Sequence, residues 1–338
     1  MKRALVLFAA LLVIVSLPAF AHAQGFFGTP LFSGSAPDTS VLARQGSRAP
    51  WSPSFYVGYS GNHRGLFIGA MDVPASAAEL AVDRTWEGDL GAAWLGLTLP
   101  VALTDTLGVR GSFAALLPNT TTGRQFTEFG EVYPDVKAKS YFWDVAGYWQ
   151  IDGSCRVLAG FRWDYVDAQF FRYQTVWTGF GPMRRDGVHR FEVTSYLPYV
   201  GMEMSYPSST CNLTVGVLGF PVVPGDFNEA VGDVSDQGAI GSIVTSSENR
   251  LSFRSGYFVD VYCKYSMRIL GAGQLGGFAE WNTIRARTDE ITTYIRNNAT
   301  LFFVGGGPSN PHTYGYTFQK QLWAVGGFVT LDFSLPIL

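Results

Sequence analysis

Charged residues are scarce in this sequence. They make up 15% of its 338 residues, whereas a soluble globular protein carries about 25%. The charges are also nearly balanced, with 24 Lys and Arg against 27 Asp and Glu. The chain therefore lacks the basic excess of a nucleic-acid-binding protein, and we predict no nucleic-acid partner.

Beyond its N-terminus the sequence lacks a run of roughly 20 apolar residues, the length that a membrane-spanning helix needs. The best candidate, residues 90–117, is interrupted by Pro100, Asp105 and Arg110. The polar triplet 104–106 in its middle is typical of a turn between two strands. We therefore predict no transmembrane helix after the N-terminal segment.

The apolar run at the N-terminus is of a different kind. Two basic residues precede apolar residues 4–15, and Ala21-His22-Ala23 offers the small-x-small pattern of a signal-peptidase site. We predict a cleaved secretory signal over residues 1–23. Cleavage of the signal removes Lys2 and Arg3. The mature chain then has 22 basic and 27 acidic residues, a net charge of about −5.

Aromatic residues and glycine are abundant, at 15% and 39 residues respectively, and they occur in segments that alternate in polarity. In residues 155–168 the odd positions include Phe161 and Trp163, and the even positions include Arg162 and Asp164. Successive side chains of a strand point to opposite faces. Such a segment is therefore a strand with one apolar face and one charged face.

The same alternation recurs along the chain, and in residues 251–267 it continues far beyond the ~5–6 residues of an average strand in a soluble sheet. In that segment Val259 falls on the apolar face and Ser252 on the polar face. A soluble β-sandwich also alternates, but it does not explain strands of this length with Trp and Tyr near their ends. We predict an all-β, antiparallel up-and-down transmembrane β-barrel of about ten strands, near residues 54–61, 89–102, 106–117, 138–151, 155–168, 188–206, 210–220, 251–267, 272–287 and 316–334.

The connections between these strands alternate in length. Short links of about three residues separate long polar segments at 118–138, 169–187, 221–250 and 289–314. Outer-membrane barrels combine short periplasmic turns with long external loops. Residues 63–88 could add one hairpin, which would make twelve strands, but we favour ten. Residues 24–53 are expected to form an irregular lead, and residues 54–338 a single barrel domain.

The signal, the alternating strands and the last segment, WAVGGFVTLDFSLPIL, resemble small bacterial outer-membrane β-barrel proteins of the OmpA-like and opacity-protein kind. The resemblance is architectural and carries no site motif. It implies a Gram-negative outer membrane, contact with its lipid, and insertion by the barrel-assembly machinery. The last segment departs from the pattern, because such barrels usually end on an aromatic residue and this chain continues for five residues after Phe333.

No motif predicts catalysis, a cofactor or a metal site. Gly271-x-Gly273-x-x-Gly276 has the letters of a dinucleotide fingerprint, but that motif works only between a parallel strand and a helix. Here it falls on a turn and a barrel strand. We predict no cofactor.

The histidines offer the only hint of a hydrolase. His63, His189 and His312 are expected near the external rim, where proteases of the omptin type use an Asp-x-Asp pair and an Asp-x-His pair. Neither spacing occurs around these three residues. Ser195 shares a strand with His189 but lies six residues away, too far for a Ser–His dyad. A rim hydrolase is therefore our third reading of the function.

Only three cysteines are present, and their spacing fits no metal site. Cys211 and Cys263 are expected on the same face near the periplasmic ends of neighbouring strands. An exported protein meets an oxidising compartment, so these two residues could form a disulfide. Cys155 would then stay unpaired.

The charges on the inward faces are the most informative set. They can pair with one another and plug the lumen, or they can line an ion-selective channel. A ten-stranded barrel has little more interior space than an eight-stranded barrel, whose interior is just filled by side chains. We therefore favour a charge-paired, plugged barrel with a structural or surface-interaction role through its external loops. A narrow passive pore is the alternative. The inward set is Arg110, Asp144, Arg162, Asp164, Arg254, Asp260, Lys264 and Glu280.

Overall fold

The computed structural model of the chain describes residues 53–60, 65–71, 85–127, 130–178, 181–208, 211–236, 242–269, 273–293 and 312–331. These ranges contain sixteen β-strands and no helix, and thus no helix that could span a membrane. The predicted signal, almost all of the predicted lead and the last seven residues lie outside them.

The strands are numbered in chain order. They are β1 Ser54–Ser60, β2 Leu66–Met71, β3 Thr85–Gly88, β4 Ala92–Ala102, β5 Leu107–Thr122, β6 Arg124–Thr127, β7 Gly130–Val132, β8 Asp135–Gln150, β9 Cys155–Thr178, β10 Gly181–Pro207, β11 Cys211–Phe220, β12 Gly225–Asp236, β13 Ser242–Ile269, β14 Gly273–Thr288, β15 Ile291–Thr293 and β16 His312–Leu331.

Ten of these strands close into an antiparallel barrel. Their order is β1, β4, β5, β8, β9, β10, β11, β13, β14 and β16, and β16 pairs with β1 to complete the ring. Each of the ten corresponds to a predicted strand, so the predicted all-β barrel is confirmed. Closure matters because an open strand edge would leave backbone polar groups without partners in lipid.

The other six strands lengthen the wall at one end. β12 occupies the position above β11, between β10 and β13, and β2 occupies the position above β1, beside β16. β3 pairs with β2 and with β6. The described parts of residues 63–88 therefore extend two existing positions of the wall, and the barrel has ten strands.

Two of the predicted external loops are largely β-structure. β9 and β10 pair without interruption from the short turn at 152–154 to the far end of the hairpin. Segment 221–250 contains β12 and the start of β13. The sequence pattern did not reveal these extensions. Outside the lipid the outward face no longer has to be apolar, so apolar and polar residues no longer alternate along the strand.

The outward face of the ring is apolar between two levels of aromatic residues. The outer level contains Tyr141, Trp143 and Trp163. The rings of Tyr141 and Trp163 are 5.4 Å apart, and Trp143 lies opposite Trp163 on the neighbouring strand. Trp149 is exposed at the inner level. Tyr141 and Trp149 are eight residue steps apart, about 27 Å along the strand, which matches the ~25 Å apolar band of an outer-membrane barrel. This surface is suited to lipid.

The facing of β13 changes at Arg254. The register with β14 shifts there, so Arg254 is an extra residue in a β-bulge. After the bulge Asp260 points inward and Val259 outward, as predicted. Before it the order is reversed, because Leu251 is buried and Ser252 is exposed. The prediction that Ser252 faces the lumen is therefore wrong, since a single inserted residue exchanges the two faces of a strand.

Six glycines of the inward face lie directly opposite an aromatic residue of the neighbouring strand. A Cβ at Gly160 would fall 2.6 Å from the Tyr199 ring, and one at Gly216 would fall 2.0 Å from the Tyr262 ring. Glycine thus lets each ring lie against the wall and cover it. The pairs are Gly58 with Trp94, Gly108 with Tyr148, Gly160 with Tyr199, Gly216 with Tyr262, Gly276 with Phe328 and Gly326 with Phe278.

Candidate functional site

The lumen holds most of the charged residues that the sequence assigned to it. Seven of the eight are buried, each at most 2% exposed. They are Arg110, Asp144, Arg162, Asp164, Asp260, Lys264 and Glu280. The eighth, Arg254, occupies the β13 bulge, and its side chain lies outside the described part of the structure.

Five further buried charged residues were absent from the predicted set: Arg156, Asp167, Glu203, Glu229 and Lys320. Glu203 was missed because the pattern suggested a change of parity near Pro198, whereas the β9–β10 register is unbroken there. Unbroken odd parity from His189 onward would have placed Glu203 inward. The seven predicted residues with Arg156, Glu203 and Lys320 are five cations and five carboxylates. Of the other two buried carboxylates, Asp167 pairs with Arg190, and Glu229 accepts a hydrogen bond from the Tyr316 hydroxyl.

Arg162 stands at the centre of the network. Its Nε lies 3.2 Å from Asp144 Oδ2, and its Nη1 and Nη2 each lie 3.1 Å from Asp260 Oδ2. The guanidinium also lies 4.9 Å from the Phe142 ring and 5.0 Å from the Phe258 ring. A fully buried guanidinium is stable only with such complete pairing, and here it joins β8, β9 and β13.

Glu203 forms a second centre, closer to the short connections. Arg110 Nη1 lies 3.1 Å from its Oε1, and Arg156 Nη1 lies 3.3 Å from its Oε2. The Tyr262 hydroxyl donates to Oε1 as well. Arg110 Nη2 lies 3.9 Å from Asp144 Oδ1, so the two centres are continuous.

A third ion pair crosses the full width of the barrel. Lys320 Nζ lies 2.7 and 2.8 Å from the two Asp164 oxygens and 2.8 Å from Ser140 Oγ. β16 and β9 are five positions apart in the ring of ten, so this pair joins opposite walls. Lys320 Nζ thus donates to both oxygens of the Asp164 carboxylate and to Ser140 Oγ, so its three donors are all used.

The half of the lumen beyond Arg162, which we call the outer half, is filled by aromatic rings. Trp86 and Phe191 have ring centroids 4.9 Å apart, Phe191 and Phe227 5.8 Å, and Phe227 and Tyr316 5.0 Å. These four residues belong to β3, β10, β12 and β16 and are each at most 1% exposed. They form a continuous layer of rings across the lumen, the ring layer. The half between Arg162 and the short connections is the inner half.

The histidine and serine candidates for hydrolysis are not brought together. His189 is buried against the ring layer, 4.9 Å from the Trp86 ring. Ser195 is buried on the same face of β10 but three inward positions away. His63 and the side chain of His312 lie outside the described part of the chain. The described residues contain no cluster of three His, Cys, Asp or Glu that could hold a metal.

The predicted disulfide is wrong. Cys211 lies opposite Met267, and Cys263 lies opposite Val215. The two cysteines are therefore offset by four residues, about 13 Å along the strands, whereas a disulfide needs Cα atoms within ~7 Å. Both are free, as is Cys155. The sequence placed both cysteines on one face, but the register that separates them depends on the long connection between β11 and β13, which contains β12.

Solved structures similar to this chain are outer-membrane β-barrels. The outer membrane protease OmpT from Escherichia coli matches with a TM-score of 0.50 and 13% identity, over 83% of this chain and 96% of that chain. The toluene transporter TodX from Pseudomonas putida matches with a TM-score of 0.35 and 6% identity, over 90% and 95%. The translocator domain of the autotransporter NalP from Neisseria meningitidis gives 0.34 and 10%, over 86% and 91%.

No family model matches the chain, and no curated protein sequence matches it. The likeness to OmpT is one of fold, since the identity is low. The fold, the lipid-suited exterior and the even-numbered closed wall together define an outer-membrane β-barrel protein.

Proposed function

We propose that this protein is an integral barrel of the outer membrane that does not conduct, and that it anchors long β-hairpins at the external surface in a structural or surface-interaction role. The observation that carries the proposal is the filling of the lumen. Ion pairs join opposite walls through Lys320 and Asp164, and the ring layer closes the outer half. A lumen filled in this way supports a barrel that does not conduct.

A narrow pore is the competing function, and the charged inner half is the feature that favours it, because charged linings select ions in channels. The pairing argues against it. Each carboxylate of Asp144, Glu203 and Asp164 is held by a cation within 3.3 Å. Charges that satisfy one another attract a passing ion weakly, so we rank the pore second.

We further propose that the protein is not an enzyme and needs no cofactor. OmpT is a protease, but the histidine of this chain that the structure describes is packed between rings, and Lys320 is neutralised by Asp164. A nucleophile and a base must lie within hydrogen-bond reach and be accessible to substrate. Ser140 Oγ and Lys320 Nζ are within reach at 2.8 Å, but both residues are buried and Lys320 also bonds both Asp164 oxygens. Among the described residues of the lumen this pair therefore lacks both an accessible nucleophile and a free base. A rim hydrolase therefore stays third.

The partners that we propose follow from the exterior and the length of the wall. The apolar band faces the lipid of the outer membrane, and a barrel of this kind requires the barrel-assembly machinery for insertion. β9 and β10 continue more than ten residues beyond the aromatic level of Tyr165 and Tyr196. This hairpin is the largest element available for contact outside the membrane.

An epitope inserted after Thr178, at the end of the β9–β10 hairpin, is expected to bind antibody on intact cells. The matched control is the same epitope after Gly153, in the short turn that begins at Asp152, which should bind antibody only after the outer membrane is permeabilised. Flow cytometry on both strains measures the difference. Antibody binding to the Gly153 insertion on intact cells, with none to the Thr178 insertion, would mean that the barrel has the opposite orientation.

A further inference from the structure

The two halves of the lumen are lined by different chemistry. Both halves contain aromatic rings, but the inner half also carries small hydroxyl residues that bond in pairs. The hydroxyls of Ser54 and Thr330 are 2.8 Å apart, those of Thr98 and Ser112 are 3.1 Å apart, and those of Ser205 and Thr214 are 3.1 Å apart. Small polar side chains fill less space than rings and offer donors and acceptors to water.

Buried polar atoms without protein partners gather at the deep end of the inner half. In the described part of the chain, no protein group hydrogen-bonds to Lys264 Nζ or Asn282 Oδ1. The Glu280 carboxyl has the Asp260 carboxyl as its partner. Asp260 and Asn282 lie directly opposite each other on β13 and β14, and Tyr262 lies opposite Glu280. These atoms therefore belong to one neighbourhood of the lumen.

Lys264 is the clearest case, because its ammonium has three donors. Its Nζ lies 5.3 Å from the Tyr56 ring and 5.0 Å from the Tyr262 ring, contacts that satisfy charge but not hydrogen bonding. Asn282, which lies opposite Asp260, is held in place by a hydrogen bond from its Nδ2 to the Val259 carbonyl, 3.2 Å. Buried polar groups left without hydrogen-bond partners destabilise a fold.

Exposure falls steadily along β13 from the inner mouth toward the centre. Ser266 is 7% exposed, Lys264 2%, Tyr262 1% and Asp260 0%. Residues of β13 nearer the inner mouth are therefore slightly more exposed than Asp260, so solvent comes nearest to Lys264 from that side. Buried waters typically bridge polar groups that otherwise lack partners.

We propose that the inner half is a hydrated chamber, open toward the periplasm, whose deepest waters bridge Lys264, Glu280 and Asn282, and that the ring layer is the barrier between this chamber and the outside. Water is favoured over a bound ion because the deepest group offers donors and acceptors of both signs, the Lys264 ammonium together with the Glu280 carboxyl and the Asn282 amide oxygen. The barrel is then a half-channel closed at one level. This inference rests on the proposed non-conducting function and locates the barrier that enforces it.

Thiol accessibility tests the chamber. In a background with Cys155, Cys211 and Cys263 replaced by alanine, the variants Thr214→Cys and Asn282→Cys place one thiol in the inner half. The matched control is Ala168→Cys, as fully buried as Asn282 but in the outer half beside Phe191. The probe is a small charged methanethiosulfonate reagent added to the folded protein, with folding checked by heat-modifiable gel mobility.

In the folded protein, the inner thiols are expected to react more than an order of magnitude faster than the Ala168→Cys thiol. The Ala168→Cys thiol should react at a comparable rate only after the protein is unfolded. Protection of all three thiols in a non-conducting wild type would overturn the chamber and leave the proposed function intact. Reaction at all three, together with conductance of the wild type, would overturn both.

Removal of rings tests the barrier. The double variant Phe191→Ala with Phe227→Ala is expected to conduct in planar bilayers, because it opens the ring layer above a wet chamber. Phe278→Ala with Phe328→Ala, which removes two rings of the inner half, should stay closed. A folded Phe191→Ala, Phe227→Ala variant that does not conduct would contradict the assignment of the barrier to the ring layer.

Discussion

Replacement of Arg162 with alanine is expected to lower the free energy of unfolding by about 3–5 kcal/mol, the usual cost of leaving a buried partner charge unpaired. Arg162 is fully buried and is the cation that contacts both Asp144 and Asp260. Its loss leaves the Asp260 carboxylate next to the Glu280 carboxyl without the guanidinium that pairs with it. Urea unfolding of the barrel in lipid vesicles, followed by tryptophan fluorescence, measures the change.

Arg285→Ala is the matched control. Arg285 is on β14 and exposed on the outer surface, where a lost charge changes stability by about 0–1 kcal/mol. The lumen network is untouched in this variant. If Arg162→Ala and Arg285→Ala unfolded at the same urea concentration, the buried pairs would be hydrated well enough to tolerate an orphaned charge, and a water-filled pore would become the better description.

The second large effect is expected at the pair that crosses the lumen. Lys320→Met should cost about 3–5 kcal/mol, because it strands the Asp164 carboxylate in a place where water is excluded. The double variant Lys320→Met with Asp164→Leu should recover most of that loss, since a buried ion pair can often be replaced by apolar residues of similar volume at little cost.

The cycle of wild type, two single variants and the double variant separates pairing from packing. Asp164→Leu alone should also be destabilised, because it leaves Lys320 fully buried with only Ser140 as a partner. The expected coupling is large and favourable. Additive losses in the double variant would show that Lys320 and Asp164 contribute independently, which is incompatible with a direct pair 2.7 Å apart.

The barrel could be predicted from the sequence because one physical rule acts on every strand within the membrane. The outward face must be apolar, so the period of two marks strands such as β8 and β9, and the same rule placed Arg162 and Asp164 inward. The rule stops outside the lipid. It could not reveal β12 or the upper part of β10, and it was reversed over Leu251 and Ser252 by a bulge at a single residue.

The partners within the lumen were beyond the pattern for a different reason. Facing tells which side chains enter the lumen, but not which of them meet. The Lys320–Asp164 contact joins residues 156 positions apart in the chain, and it depends on strand tilt and ring closure. The ring layer was missed as well, because Phe191, Phe227 and Tyr316 face inward where the expected lining was polar.

Conductance of the purified wild-type protein in planar bilayers is the most direct test of the closed lumen. The account predicts no single-channel steps above the bare bilayer over a wide range of voltage, with the inserted barrel verified by its heat-modifiable gel mobility. Reproducible steps with an ion preference, in preparations that pass the same folding check, would contradict the account and establish a pore.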